Sequence, residues 1–312
     1  MNDLFFKNGN SFPKFGLGTW LSKPGEVYHA VINAINAGYR HIDCAYIYGN
    51  EKEIGNALTD AFTNGLVKRE DMFITSKLWN SDHAAARVEI AIRKSMCDLQ
   101  LDYLDLYLMH WPVAFKTEHE QVKTVADLAS LTEIPLEKTW EAMEQVAKNG
   151  LARHIGVSNF NIPKLENLML NSQIKPEVNQ IELHPYFQQP ALVEYCLKNK
   201  ILVTAYSPLG SRHLINTEQG IQSEKIIIEI AQKHNCTEVQ VILAWGIQRG
   251  TSVIPKSVNK LRIHENLKAT EVKLDVDDMI KIKTLDRGQR ISKGLYVVLQ
   301  GGFYTYENIW EL

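Results

Sequence analysis

Residues 26–48 read EVYHAVINAINAGYRHIDCAYIY and contain both parts of a repeating unit. In Glu26–Ala37 the apolar residues, among them Ile32 and Ile35, recur at helical spacing, which indicates an amphipathic helix. The short run Arg40–Cys44 predicts a strand, with Asp43 at its end and Tyr48 just beyond it. The segment therefore predicts a helix that packs against a strand of a parallel sheet.

Outward from this segment, strand-like runs alternate with helix-like segments. The eight predicted strands are Phe15–Gly18, Arg40–Cys44, Met72–Ser76, Leu104–Met109, Arg153–Val157, Glu177–Ile181, Ile201–Ala205 and Val253–Pro255. The predicted helices are Glu26–Ala37, Glu51–Asn64, Ala84–Leu99, Glu137–Asn149, Ile162–Asn171, Pro190–Asn199, Glu224–His234 and Glu238–Arg249. Eight strands alternating with helices are what a closed parallel barrel needs, so the sequence predicts an α/β fold of the (β/α)8, or TIM-barrel, type.

The start of the chain is predicted to add a hairpin to this barrel, and the whole chain to form one domain. Leu4 to Phe6 and Phe12 to Phe15 flank Asn8-Gly9, a pair that suits a tight turn, so we predict an N-terminal β-hairpin. No linker or low-complexity stretch divides the sequence, which predicts a single domain over residues 1–312.

An open, doubly wound dinucleotide-binding sheet is the alternative fold. Gly16 and Gly18 form a G-x-G pair, but Leu21 stands where the third glycine of the fingerprint belongs. No regular helical pattern begins directly after the pair. The sequence therefore favours the barrel over the doubly wound sheet.

Composition excludes several classes of function. A formal net charge of -2, with 45% hydrophobic and 22% charged residues, gives no basic surface for nucleic acid or an anionic membrane. The four cysteines are scattered, without a C-x-x-C pair or a histidine at metal-ligand spacing, so we expect no metal site. The first residues lack the apolar core of a signal peptide, and we expect a cytoplasmic monomer or weak homodimer.

Polar residues stand at the carboxyl ends of seven consecutive predicted strands. In chain order they are Asp43 and Tyr48, Lys77, His110, Ser158-Asn159, Gln180, Tyr206-Ser207 and Lys256-Ser257. The carboxyl ends of barrel strands converge on one mouth, where barrel enzymes hold their active sites. We therefore expect these side chains to surround one site.

The first four of these residues form an acid–base set with no nucleophile beside a base. A free tyrosine has a pKa of ~10 and donates its proton poorly near neutrality. An ammonium ~4 Å away favours phenolate by ~4 kcal/mol at an effective dielectric of ~20, or about three pKa units. We expect Lys77, held by Asp43, to lower the pKa of Tyr48. His110 would donate a second hydrogen bond to a carbonyl oxygen, and the site would need an external hydride.

Each of these residues also has an ordinary structural interpretation. Asp43 caps a turn in that interpretation, Lys77 lies on the surface, and His110 is a hydrogen-bonded core histidine. Tyr48 simply packs, as most tyrosines do. Their coincidence at consecutive strand ends favours the catalytic interpretation.

The chain resembles the aldo-keto reductases over nearly its whole length, and within them the aldose reductases and xylose reductases. The motifs that carry the resemblance are GLGTW at 16–20, HIDCAYIYGNEKEIG at 41–55, ITSKLW at 74–79, DLYLMHWP at 105–112, IGVSNF at 155–160, VNQIELHPY at 178–186, TAYSPLG at 204–210, VIPKS at 253–257 and RIHEN at 262–266. The resemblance implies Tyr48 as general acid, with NADPH as the cofactor and NADH as a weaker alternative.

It also implies how the cofactor is held. Tyr206 would stack on the nicotinamide, and Ser158, Asn159 and Gln180 would hold its carboxamide. Lys256, Ser257 and Arg262 would bind the adenosine 2′-phosphate, because cations suit a phosphate dianion. The remaining implied cofactor contacts are Thr19 and Trp20 at the first strand, Ser207, Leu209 and Ser211 along the pyrophosphate, and Glu265 and Asn266 near the adenine.

The substrate is expected to be a small carbonyl compound. Trp20, Trp79 and Trp111, with Ile47 and His110, would line its pocket, although tryptophans also pack at barrel ends without a ligand. Ile47 stands where yeast-type xylose reductases carry an acid. The tail 296–312, which closes the pocket in this family, follows neither group closely. We therefore expect compact aldehydes with an apolar face to bind well and free aldoses to have a poor KM.

Two other functions are compatible with the resemblance. Barrels of this kind also serve as nicotinamide-binding regulatory subunits or as structural proteins with little turnover. A reductase that acts mainly on ketosteroids or keto-sugars would differ only in its pocket.

Overall fold

The computed structural model describes residues 3–116, 120–211 and 220–310. Its strands are β1 (Leu4–Phe5), β2 (Ser11–Phe12), β3 (Leu17–Gly18), β4 (His41–Asp43), β5 (Phe73–Leu78), β6 (Leu104–Met109), β7 (Ala114–Phe115), β8 (Leu128–Ala129), β9 (Ala152–Ser158), β10 (Val178–Glu182), β11 (Leu202–Tyr206) and β12 (Ser252–Val253). Its described α-helices are α1 (Glu26–Ala37), α2 (Glu51–Thr63), α3 (Ala85–Leu99), α4 (Leu136–Lys148), α5 (Ile162–Asn171), α6 (Pro190–Lys198), α7 (Lys225–Lys233), α8 (Glu238–Gln248), α9 (Lys260–Leu267), α10 (Val276–Lys283) and α11 (Tyr306–Trp310).

Eight parallel strands form the barrel, in the order β3-β4-β5-β6-β9-β10-β11-β12. Backbone hydrogen bonds join the first strand to the last, because the N–H groups of Gly16 and Gly18 donate to the carbonyls of Val253 (2.9 Å) and Pro255 (3.1 Å). A Cβ at Gly18 would lie 2.7 Å from the carbonyl oxygen of Ile254, so this close approach requires glycine. The predicted (β/α)8 barrel is confirmed, and the doubly wound alternative is wrong.

The N-terminal strands β1 and β2 pair antiparallel, with Leu4 opposite Phe12. The turn between them uses Gly9 at φ +88°, in the left-handed region that favours glycine. Phe6 and Phe12 pack with Phe73 of β5 in a separate apolar cluster, which also contains residues of β6 and β10. The hairpin therefore covers one end of the barrel, where Phe6 stacks on His154 of β9 with the ring centroids 3.5 Å apart.

Helix positions follow the apolar spacing in the sequence. Helix α1 buries Val27, Val31 and Ile35 on one face, against the barrel core that also contains Ile42 of β4. Helix α5 begins at the predicted residue because Asn161 caps it by accepting the N–H of Lys164 at 3.1 Å. No helix within 3–116, 120–211 or 220–310 is long and apolar enough to cross a membrane.

Candidate active site

A cavity of ≈ 840 Å³ opens at the carboxyl ends of the barrel strands. Most of the residues predicted for a site line it: Thr19, Trp20, Asp43, Ile47, Tyr48, Trp79, His110, Trp111, Ser158, Asn159, Gln180, Tyr206, Ser207, Leu209, Ser211, Lys256 and Arg262. Lys77 lies behind this wall with no solvent exposure. Ser257, Glu265 and Asn266 are not among the lining residues.

Lys77 and Asp43 form a buried ion pair at the base of the cavity. The Lys77 ammonium donates to Asp43 Oδ1 at 2.6 Å and to the carbonyl of Cys44 at 2.7 Å. Burial disfavours the ammonium, but Asp43, Tyr48 and Cys44 together outweigh that penalty, so the pKa of Lys77 lies above its ordinary value. Lys77 is therefore a fixed positive charge, and the interpretation of it as a surface residue is wrong.

Tyr48 lies on the 3-10 turn Tyr46–Tyr48, which directly follows β4 and Ala45. The Lys77 ammonium lies 5.1 Å from the centroid of its ring. Burial raises the pKa of Tyr48, and Lys77 only partly offsets that rise. The expectation that Lys77 lowers the pKa of Tyr48 below its usual value is wrong, because desolvation of the buried phenol outweighs the charge of Lys77.

His110 follows β6 and meets Tyr48 edge to face, with the ring centroids 5.9 Å apart. Burial lowers the pKa of His110 well below its usual value, and the neighbouring charge of Lys77 lowers it further. The imidazole is therefore neutral and carries one N–H. Its Nδ1 is buried and has no hydrogen-bond partner in the described part of the chain, which contradicts the interpretation of a hydrogen-bonded core histidine.

A second network joins the residues of β9, β10 and β11. Gln180 donates to Asp43 Oδ2 at 2.7 Å, which leaves its own Oε1 without a partner among the described residues. Asn159 donates to the carbonyl of His110 at 3.0 Å and accepts the Tyr206 hydroxyl at 2.7 Å. Ser158 donates to the carbonyl of Gln180 at 2.8 Å. Gln180 Oε1 is thus the acceptor of this group most available to a carboxamide.

The far end of the cavity carries two cations, Lys256 and Arg262. Lys256 donates to the carbonyl of Leu21 at 3.3 Å, and neither residue has a carboxylate partner within the described ranges. Arg262 lies in the first turn of α9, which Asn259 caps. Two cations without a carboxylate partner suit a phosphate group, and together with Gln180 they fit a nicotinamide dinucleotide that carries a 2′-phosphate.

Aromatic rings form the wall beside His110. Trp79 meets His110 at a centroid distance of 5.2 Å, and Trp111 meets Trp310 of α11 at 5.6 Å. Both belong to an apolar cluster that includes residues of the tail. The described part of the tail therefore closes this side of the cavity.

The sequence did not predict the lining residues Ser292, Gly294 and Tyr296, which lie just before the tail or at its first residue. No strand period marks them in the sequence, because Gly294 lies in the left-handed region (φ 68°) and Leu295–Val297 form a 3-10 turn. The buried carboxylate of Glu182 fixes this segment, because it accepts the backbone N–H groups of Ile291 (2.8 Å) and Ser292 (2.7 Å).

Comparison with known proteins agrees with this architecture. The sequence signature of the Aldo/keto reductase family matches residues 14–287. An aldo/keto reductase of Synechocystis sp. is 47% identical over 309 residues, covering 97% of this chain and 94% of that protein. The NADP-dependent D-sorbitol-6-phosphate dehydrogenase of Malus domestica is 41% identical, covering 94% and 96%. The aldose reductase structure from Schistosoma japonicum has a TM-score of 0.89 at 41% identity, covering 95% and 96%. The chain therefore belongs to the aldo/keto reductase family of oxidoreductases.

Proposed function

We propose that the protein is an NADPH-dependent reductase that converts aldehydes, including open-chain aldoses, and some ketones to alcohols. The observation that carries this proposal is the position of Tyr48. Its ring borders the cavity, and the buried Lys77–Asp43 pair lies directly behind it. A phenol backed by a fixed ammonium is suited to give a proton to an oxygen that becomes an alkoxide.

Each residue has a defined task in this reaction. Burial keeps Tyr48 protonated at neutral pH, so that it can donate to the substrate oxygen. The Lys77 ammonium stabilises the phenolate that remains, and Asp43 holds Lys77 in place. Neutral His110 donates a hydrogen bond to the same oxygen. Bound NADPH supplies the hydride.

The residues around the cavity are suited to hold that cofactor. Tyr206, whose ring is fixed by its bond to Asn159, would support the nicotinamide, and Gln180 Oε1 would accept from its carboxamide. Lys256 and Arg262 would bind the 2′-phosphate. Ser257 would join them at the phosphate, and Glu265 and Asn266 would lie near the adenine, although none of the three lines the cavity.

The experiment that tests the proposal is a turnover assay with a simple aromatic aldehyde, aldoses and phosphosugars, each with NADPH and with NADH. We expect NADPH to be oxidised by the aromatic aldehyde and NADH to support slower turnover. Binding of NADPH without turnover of any carbonyl compound would instead favour the regulatory or structural role. Ketosteroids and keto-sugars in the same panel test the remaining alternative.

Arg262→Ala should change the cofactor preference. Charge-assisted bonds to phosphate contribute ~1.5–3 kcal/mol, so we expect NADPH to bind roughly 10–150-fold more weakly and NADH to bind almost unchanged. A fluorescence titration measures both. Lys260→Ala is the matched control, because Lys260 lies on the same helix but does not line the cavity. An equal loss of affinity for NADPH and NADH would show that Arg262 does not bind the 2′-phosphate.

A further inference from the structure

We propose that Tyr296 is a specificity-determining residue that binds a hydroxyl group of an uncharged substrate. This inference rests on the proposed reductase function and deepens it. It names the part of the pocket that recognises the end of the substrate remote from the carbonyl. The sequence predicts an apolar pocket because Ile47 replaces an acidic residue. In this proposal Tyr296, and not residue 47, binds the hydroxyl group.

The position of Tyr296 puts it in the substrate half of the cavity. Its ring stacks on Trp79 with a centroid distance of 6.3 Å and an interplanar angle of 13°. It also meets the edge of Trp111 at 5.6 Å. Trp79 in turn contacts His110, with the ring centroids 5.2 Å apart. The rings of His110, Trp79 and Tyr296 therefore form one continuous wall that begins beside Tyr48. A small molecule with its carbonyl at Tyr48 therefore extends towards Tyr296.

The hydroxyl of Tyr296 has hydrogen-bonding capacity to spare. Asn80 donates to it at 3.3 Å, and Asn80 is itself fully buried. A phenolic hydroxyl both donates and accepts, and its hydrogen has no acceptor among the described residues. Burial raises the pKa of Tyr296 above its usual value, so the phenol is protonated at neutral pH. It therefore offers a donor to a ligand in an otherwise aromatic wall.

The wall that presents Tyr296 is held in place before a ligand binds. Glu182 holds the backbone of residues 291 and 292, as described above. Gly294 has φ +68°, and a Cβ there would lie 3.2 Å from the Trp111 ring. Two fixed points upstream of Tyr296 thus limit where its ring can lie, and a preorganised donor loses less entropy on binding.

Charge in the cavity indicates a neutral substrate. Among the described lining residues the only cations are Lys256 and Arg262 at the cofactor end, and the charge of Asp43 is balanced by Lys77. The substrate half offers rings and neutral hydrogen-bonding groups. A phosphate or carboxylate placed there would lose hydration without gaining a counter-charge. The favoured class is therefore uncharged aldehydes with a hydroxyl group remote from the carbonyl.

The test compares Tyr296→Phe with the parent protein on matched ligands in the presence of NADP⁺ or NADPH. Benzaldehyde, 3-(hydroxymethyl)benzaldehyde and 3-carboxybenzaldehyde give KM values, and the corresponding alcohols give Kd values from quenching of tryptophan fluorescence. We expect the parent to prefer the hydroxymethyl compound over benzaldehyde by about three- to tenfold and to bind the carboxylate worst. In Tyr296→Phe that preference should disappear while the values for benzaldehyde and benzyl alcohol stay within about twofold.

Tyr306→Phe is the matched control, because it removes a tail hydroxyl that does not line the cavity, and it should keep the preference. An unchanged preference in Tyr296→Phe, or an equal loss for all three ligands, would overturn the inference. Because Kd is measured on the alcohols, it decides the role of Tyr296 even if no aldehyde is turned over. Failure of the reductase proposal is thus separable from failure of this one.

Discussion

Tyr48→Phe should abolish carbonyl reduction while leaving the affinity for NADPH nearly unchanged. The variant keeps the ring that contacts His110 and loses only the hydroxyl that would donate the proton. General acid catalysis contributes ~10²–10⁴-fold, so kcat should fall by about that factor. Steady-state kinetics with an aromatic aldehyde and a fluorescence titration with NADPH measure the two quantities.

Tyr46→Phe is the control for this variant. Tyr46 lies on the same 3-10 turn, but its hydroxyl bonds to Glu120 and it does not line the cavity. We expect it to retain most of the parent activity. If Tyr48→Phe kept even a fifth of the parent kcat, another group would have to supply the proton.

Lys77→Met should be as damaging to kcat as the tyrosine change. At the 5.1 Å between the ammonium and the ring centroid, the ion stabilises phenolate by ~3 kcal/mol at an effective dielectric of ~20. Its loss should slow proton donation by about a hundredfold. Oxidation of an alcohol, the reverse reaction, needs the phenolate form of Tyr48, so its rate should rise with pH. Because Lys77 lowers the pKa of Tyr48, this rise should move to higher pH in the variant.

The variant also leaves Asp43 as an unpaired buried carboxylate, which costs ~3–5 kcal/mol of stability. The double variant Asp43→Asn/Lys77→Met removes both charges and is the control for that effect. We expect the double variant to be the more stable of the two in thermal unfolding and equally inactive. Parent-like kcat with an unshifted pH profile in either variant would show that Lys77 is structural only.

Much of the fold could be predicted because local patterns dominate it. Helix α1 and strand β6 have the predicted bounds, since each combines a regular apolar pattern with a clear end. The strand predicted at Phe15–Gly18 is only Leu17–Gly18, because Phe15 and Gly16 pair singly across the barrel closure with Val253. That closure joins the two ends of the barrel and is invisible to a local pattern. The single domain over residues 1–312 stays a prediction.

The candidate site was predictable to the extent that strand ends determine it. Asp43, Lys77 and His110 were predicted from their position at the carboxyl ends of β4, β5 and β6, and the structure brings them together. The direction of the Tyr48 pKa was not predictable, since it depends on desolvation by residues distant in sequence. The same holds for Asn159, whose bonds to His110 and Tyr206 exist only after three strands have met.

The segment around Ser292 and Tyr296 shows most clearly which part of the site could not be predicted from the sequence. Glu182, more than a hundred residues earlier, holds the backbone at Ser292, just upstream of Tyr296. No helical or strand period marks that contact in the sequence. At the cofactor end, Arg262, Glu265 and Asn266 share one face of α9 at positions i, i+3 and i+4, yet only Arg262 lines the cavity, which helical spacing alone does not predict.

The most direct test of the account follows the hydride itself. NADPH carrying deuterium at both C4 positions is incubated with the protein and benzaldehyde, and the product is analysed by mass spectrometry. We predict benzyl alcohol with a single deuterium on the carbinol carbon, formed in step with NADP⁺, and almost none with Tyr48→Phe. Benzaldehyde left unreduced, or alcohol without the label, would contradict the assignment of this barrel as an NADPH-dependent carbonyl reductase.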